Sequence, residues 1–247
     1  MISVRHIHKK FGKLEVLKDF NLEFDSGKSY ALMGPNGSGK TTLIKIILGM
    51  VIPNSGEVFV QGESIEGNFA YRSNIGYMPQ IGRYPDNIRI GQLFNMMQDM
   101  RPGIKDYDLE LIEAFGLDKI MDKPMHTLSG GTRQKVSAAL AFMFRAAILI
   151  LDEPTAGLDP MAVETLKNKI KKERDAGKLI LITSHILSEL DELTDHAIYI
   201  HEGEVFFNDT ISGLKDITGE EKFSTAIARL MEWSLKKKKK ITDLSHV

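Results

Sequence analysis

"SYALMGPNGSGKTTLIKIILG", residues 29–49, decides how this chain folds. An apolar run leads into a Gly-rich turn and then into an apolar segment that closes at Gly49, which reads as a strand–loop–helix unit. Inside it, Gly34 to Thr41 fits the pattern G-x-x-x-x-G-K-[ST] in the setting that pattern requires, between a predicted strand and a predicted helix. The residue types follow from the chemistry. Gly34, Gly37 and Gly39 allow backbone N–H groups to converge on the phosphates of a nucleotide; Lys40 reaches the β- and γ-phosphates, and the Thr41 hydroxyl ligates Mg²⁺. Pro35, Asn36, Ser38 and Thr42 complete the predicted nucleotide-binding set. A plain Gly-rich turn would not need these flanks.

Reading outward, residues 1–30 alternate apolar and polar in short runs ("ISVRHIH", "LKDFNLEF"), the period-2 pattern of half-buried antiparallel strands. "GEVFVQG" and "NIGYMPQ" read as further strands. From about Tyr84 to Phe144 strand signals stop and helical periodicity takes over, as in an inserted helical lobe. "AILILDE" and "KLILITSH" are continuous apolar runs, expected of central parallel strands covered on both faces, and the amphipathic "PMAVETLKNKIKKERDAG" separates them. "HAIYIHEGEVFFND" reads as a hairpin turning at Glu202-Gly203.

Bulk numbers restrict the partners. The chain has 247 residues, 43% hydrophobic and 26% charged, enough for one large domain or two lobes. A formal net charge of −1 argues against a nucleic-acid partner, which would call for a basic excess. The absence of cysteine excludes disulfides and thiolate chemistry. The most apolar run, "AALAFMFRAAILIL", is too short for a bilayer and contains Arg145, and "MISVRHIHKKF" lacks the apolar core of a signal peptide. A cytoplasmic location is expected.

Two more stretches carry chemistry. "ILILDEPTAGLDP" (148–160) is a strand ending in two carboxylates at its C-terminal edge, where α/β sheets bind ligands. Asp152 is expected to hold the Mg²⁺ water shell and Glu153 to face the γ-phosphate as general base or water-orienting carboxylate. "HTLSGGTRQK" (126–135) places Ser129, Gly130 and Gly131 before "QKVSAALAF", which reads as the opening of a helix. Free N–H groups at such an end make a second phosphate site.

Taken together these residues resemble the ATP-binding cassette (ABC) ATPases, over almost the whole chain and in the family's order. The resemblance rests on Gly34–Thr41 (Walker A), Gln80 (Q-loop), "LSGGT" 128–132 (signature), "ILILDE" 148–153 (Walker B), "AGLD" 156–159 (D-loop) and His185 after "LITS" (H-loop). It implies an α/β fold: a P-loop NTPase core with a mainly parallel sheet flanked by helices, an N-terminal antiparallel β-subdomain, and a helical subdomain inserted at about 84–144. Residues 1–220 would form one cassette domain and 221–247 a helical, basic tail. It further implies that two cassettes pair head to tail around two ATP molecules. Ser129, Gly130 and Gly131 would bind the γ-phosphate of the ATP on the partner, a second copy or a homologous cassette. Gln80 would contact Mg²⁺ and the attacking water, His185 would hold the γ-phosphate, Asp159 would contact the opposite subunit, and Phe11 would stack on adenine unless it is a strand core residue. Thr132 in place of the usual Gln, and "AGLD" in place of "SALD", depart from the common pattern.

Weaker signals read as structure. His6 and His8 share one face of a predicted strand, but two ligands without a third usually make a polar face. Half of the 12 methionines lie between Met96 and Met143, where Met fills irregular helix cores and docking surfaces more often than it handles copper. In the family a coupling helix of the membrane subunit docks beside the Q-loop, so "QIGRYPDNIRIGQLF" (80–94) is the expected contact. Lys236–Lys240 would be drawn to anionic lipid, although a solvated terminus explains the run equally well.

The resemblance favours the ATP-hydrolysing subunit of a membrane transporter, peripheral at the inner face of the membrane and served by a separate integral membrane subunit. A soluble ABC ATPase of translation or DNA maintenance is the alternative. Translation types carry two cassettes and chromosome types a long coiled coil, whereas only residues 81–128 lie between Gln80 and Ser129. A regulator without turnover would not need both Glu153 and His185. Residues 186–247 leave no room for an added regulatory β-domain. "SHILSELDELTD" is similar to the exporter-type group, which includes drug, antibiotic and polysaccharide exporters and the subunit serving copper-site maturation of nitrous oxide reductase.

Overall fold

The structure is a computed structural model that describes residues 1–244, with side chains as far as Lys236. In chain order its elements are β1 (Ile2–Phe11), β2 (Leu14–Phe24), β3 (Ser29–Met33), α1 (Lys40–Ile47), β4 (Ser55–Val60), β5 (Glu63–Ser64), β6 (Ile75–Met78), α2 (Ile90–Asp99), α3 (Glu110–Ala114), α4 (Gly130–Phe142), β7 (Ile148–Asp152), α5 (Pro160–Asp175), β8 (Leu179–Thr183), α6 (Leu187–Leu193), β9 (His196–His201), β10 (Glu204–Thr210), α7 (Ile211–Thr218) and α8 (Phe223–Leu244). They group into two compact units, residues 1–67 with 184–247, and residues 68–183.

In the first unit the alternating N-terminal runs form an antiparallel sheet in the order β2-β1-β4-β5. Ile2 is paired with Phe24 on one side and Val60 on the other, and the apolar positions Ile2, Val4, Leu22 and Phe24 are all buried. The period-2 pattern thus turns one face inward. The regular pairing breaks between Val4 and Ile7, and His6 adopts a φ of +49° there. Both His6 and His8 face Asp19, at 2.7 Å and 4.0 Å. Among the described residues no group of three or more His, Cys, Asp or Glu could hold a metal.

β3, buried at every position, pairs in parallel with β9, and β9 turns antiparallel into β10. Positive φ at Glu202 (+51°) and Gly203 (+83°) gives the tight turn whose twist matches a hairpin. α1 follows β3 and buries Leu43, Ile44, Ile46 and Ile47. α7 is capped by the Thr210 hydroxyl, and α8 packs behind it through Phe223, Ala226, Ile227 and Leu230. Lys236 on α8 is exposed, and the rest of the predicted basic run, Lys237–Lys240, lies outside the described side chains.

In the second unit β6, β7 and β8 form parallel ladders, Ile75 against Ile148 and Ile148 against Leu179. β7 and β8 are wholly buried, as the unbroken apolar runs require. Between β6 and β7 the described residues hold helices α2, α3 and α4 with short helical turns and no strand. α4 begins at Gly130, earlier than the "QKVSAALAF" reading placed it, because Ser129 caps it and makes both glycines helical. Among the described residues no helix is long and apolar enough to cross a membrane.

Candidate functional site

In the first unit β3 delivers the chain into the Gly-rich loop. Gly34 has φ +145°, and a Cβ there would lie 2.1 Å from the Ile200 carbonyl oxygen of β9, so no side chain fits. Gly39, with φ +110°, stands at the N-cap of α1 against Leu17 and the Val16 carbonyl. No side chain caps α1, which leaves its first N–H groups as donors to an anion. Lys40 curls back so that its ammonium donates to the carbonyls of Gly34 (2.7 Å) and Pro35 (3.1 Å). The Ser38 hydroxyl is buried and has no hydrogen-bond partner in the protein. An orphaned buried hydroxyl costs about 1–3 kcal/mol, a cost that a phosphate oxygen reaching it would remove. Thr41 is exposed and Thr42 half-buried on the first turn of α1.

A cavity of about 350 Å³ opens beside this loop. Gly34, Pro35, Asn36 and Lys40 line it together with Ser184, His185, Tyr199, Ile227 and Met231. Residues far apart in sequence, Lys40 and His185, therefore line one cavity. Phe11 is not a core residue: it is 50% exposed, with the Lys9 ammonium 4.8 Å above its ring.

In the second unit Asp152 is the buried last residue of β7 and accepts a hydrogen bond from the Thr183 hydroxyl at 2.5 Å. Glu153 follows with φ +52°, uncommon for a residue with a side chain. Several hydrogen bonds hold this conformation. The Glu153 N–H donates to the Thr183 carbonyl (3.0 Å) and hydroxyl (3.1 Å), while its carbonyl accepts from Ala156 N–H (3.2 Å) and the Gln134 amide (3.4 Å). Burial, and after it the Asp152 carboxylate, pushes the Tyr77 hydroxyl up to about 12, so Tyr77 stays protonated beside that charge. Gln80 is exposed, two residues beyond the end of β6.

Ser129 accepts from the Thr132 N–H at 3.2 Å and exchanges a hydrogen bond with the Thr132 hydroxyl at 2.9 Å. The unusual Thr132 is thus part of the cap. Gly130 is exposed, and Gly131 lies so close to the Gly157 carbonyl that a Cβ would come within 2.7 Å of its oxygen. Asp159, expected at a subunit contact, caps α5 by accepting from Ala162 N–H (3.0 Å) and pairs with Lys135 at 2.6 Å. Sequence reasoning missed Thr183, Gln134 and Lys135. Of these only Lys135 carried a signal, a charge one helical turn past the Ser-Gly-Gly.

The sequence model of the ABC transporter family matches residues 17–156. The chain belongs to this family. Lantibiotic transport ATP-binding protein SrtF of Streptococcus pyogenes is 32% identical over 92% of this chain and 97% of its own length. Bacitracin transport ATP-binding protein BcrA of Enterococcus faecalis is 31% identical, covering 87% of this chain and 70% of its own. A solved ATP-binding subunit of an ABC transporter superposes with a TM-score of 0.86 at 25% identity, over 94% of this chain and 99% of that one. A dimeric ATP-binding cassette bound to ADP and Pi, at 24% identity and TM-score 0.74, over 85% of this chain and 98% of that one, shares the fold. This ABC protein is thus an ATP-binding ATPase with the α/β P-loop fold expected from its sequence.

Proposed function

We propose that this ABC ATPase powers an exporter-type membrane transporter, working as a head-to-tail pair of cassettes on a separate membrane-spanning subunit. The observation that carries the reading is the presence of two helix starts suited to phosphate on one chain, uncapped α1 and the Ser129–Gly131 start of α4. One chain needs only the first for its own nucleotide. The second is accounted for if it closes on the γ-phosphate of the partner's ATP. Relatives named for lantibiotic and bacitracin transport support the transporter assignment. The working place would be the cytoplasmic face of the membrane, with the 80–94 segment as the docking surface and Lys236–Lys240 drawn to anionic lipid.

In this reading Gly34–Thr42 cradle the phosphates, Phe11 stacks on adenine and His185 holds the γ-phosphate. Glu153 orients the attacking water and takes its proton, and Gln80 positions that water. Thr41, Gln80 and Asp152 offer hydroxyl, amide and carboxylate oxygens, the donor set Mg²⁺ takes when phosphates and water complete its shell. Bound there, Mg²⁺ would neutralise charge on the phosphates. Asp159 would reach the opposite subunit.

Glu153→Gln tests the pair directly. It should bind ATP, lose hydrolysis by about 10²–10⁴-fold, and elute as a dimer in gel filtration with ATP; Lys40→Ala should lose nucleotide affinity. A Glu153→Gln protein that binds ATP and remains monomeric at high concentration, alone and with its membrane subunit, would overturn the shared-site reading.

A further inference from the structure

We propose that Gln134, on α4, is a positioning residue for Glu153: its amide holds the peptide that follows Glu153 and so helps to aim that carboxylate at the attacking water. The inference rests on the reading above in taking Glu153 as the water-orienting base.

Glu153 adopts a backbone that local sterics oppose twice. Its φ of +52° is unfavourable for a residue with a side chain, and Pro154 comes next, whose ring presses the preceding residue toward extended backbone with negative φ. Such a conformation persists only where its surroundings impose it. Here the peptide groups on both sides of Glu153 are held. On the near side its N–H donates to the Thr183 carbonyl (3.0 Å) and hydroxyl (3.1 Å). On the far side its carbonyl accepts from the Ala156 N–H in the same turn (3.2 Å) and from the Gln134 amide (3.4 Å). The direction in which Cβ leaves the chain depends on both peptides, so β8 steadies one half of the aim and α4 the other.

The placement of Gln134 suits it to this role. It is 6% exposed and lies on the buried face of α4 with Ser137, Ala138 and Ala141 at helical spacing. An amide buried among small residues is costly unless it is hydrogen-bonded, and the Glu153 carbonyl takes its donor. The same end of α4 is fastened to the loop that follows Glu153. Gly131 stands against the Gly157 carbonyl, too close for any Cβ, and Lys135 pairs with Asp159 at 2.6 Å. These contacts, one before Gln134 and one after it, fix the helix against residues 157–159 and with it the point from which the amide reaches. At 3.4 Å that reach is near the limit of a hydrogen bond, so one methylene fewer loses it.

Gln134→Met keeps the length and removes the donor, whereas Gln134→Asn keeps the amide and falls short of the carbonyl. Each is expected to lower kcat on the order of tenfold, within the ~10²-fold that a 1 Å misplacement can cost. KM for ATP and ATP-dependent dimerisation of the full chain should stay unchanged. The deciding measurement places each change in a Glu153→Gln background and follows the residual hydrolysis in single turnovers. If Gln134 acts through the Glu153 carboxylate, its loss costs nothing further there. An equal loss in both backgrounds, a wild-type kcat in both single variants, or loss of the fold in both overturns the proposal. Glu153→Gln hydrolysing ATP at the full rate would instead overturn the reading of Glu153 beneath it.

Discussion

The Lys135 ammonium lies 2.6 Å from the Asp159 carboxylate and ties the helix opened by Ser129 to the loop that opens α5. Asp159 serves two masters, because its other oxygen caps α5 at Ala162 N–H. The hydrogen bond from Lys135 and, after it, the one from Ala162 hold the Asp159 carboxyl below the usual aspartate value. With the carboxylate pKa depressed, its contribution is present above the unfolded value and fades as pH falls through the folded one.

The two roles separate by substitution. Asp159→Asn keeps an acceptor for Ala162 and loses the ion pair, whereas Asp159→Ala loses both. Thermal melts should rank wild type above Asn and Asn above Ala, and only the wild-type advantage should shrink on adding salt, since an exposed pair is screened. Equal melting temperatures for Asn and Ala would remove the capping role.

Thr183 is the second target. Its hydroxyl donates to Asp152 and accepts from Glu153 N–H, so one side chain fixes both acidic residues. Thr183→Val keeps the shape and removes that hydroxyl. ATPase activity should fall about 10–100-fold with a higher Mg²⁺ requirement, the range seen when partners of metal ligands are lost, and Thr183→Ser should retain most activity. An unchanged Mg²⁺ titration in Thr183→Val would count against Asp152 as part of the metal site.

The contrast between Gly34 and Thr183 explains which parts of the site were legible in the sequence. The phosphate loop can be read because its geometry excludes most residues: Gly34 faces a backbone oxygen at a distance no Cβ tolerates. The hairpin at Glu202-Gly203 is legible for the same reason. Thr183 is a common residue at the end of a strand, and its value comes only from a neighbouring strand thirty residues away in sequence. Lys169 is harder still. Helical periodicity marks α5 as amphipathic, yet Lys169 is 2% exposed: Glu173 one turn on is a local partner, but Asp108 and Glu110, which no local pattern connects to it, also hold its charge. Ile227 and Met231 stand far along the chain from the phosphate loop, and only the fold shows that they line one cavity with Gly34 and Lys40.

Gly34→Ala should behave differently from Lys40→Ala. The new methyl would lie against the Ile200 carbonyl, a backbone atom that cannot swing aside, at a φ of +145°. Nucleotide binding should be lost together with several degrees of thermal stability, whereas Lys40→Ala should lose binding with little change in the melting temperature. Near-native stability of Gly34→Ala would mean that the loop is not clamped against β9.

Lys169 is expected to decide acid stability. Its ammonium reaches Asp108 (2.5 Å), Glu110 (2.8 Å) and Glu173 (2.8 Å), and Glu173 also meets Lys178 at 2.5 Å. Burial opposes charge on both Lys169 and Glu173, and in each case the ion pairs outweigh it: Lys169 is pushed above the ordinary lysine value and Glu173 held below the ordinary 4.5. Glu110 is held below 4.5 chiefly by its hydrogen bond from Lys169. The carboxylates therefore contribute fully above pH 4.5 and lose that contribution as pH falls through their folded values; the lysine contributes fully below 10.5 and loses it as pH rises through its own. Lys169→Met strips this cation from the buried Asp108 and Glu173, although Glu173 keeps Lys178. It should cost about 3 kcal/mol at neutral pH, the scale for stripping one partner from a buried ion cluster. The loss should shrink as urea melts are taken from pH 7 toward pH 4, because the abandoned carboxylates can then protonate. A loss that stays constant over that range would assign Lys169 to packing rather than to charge.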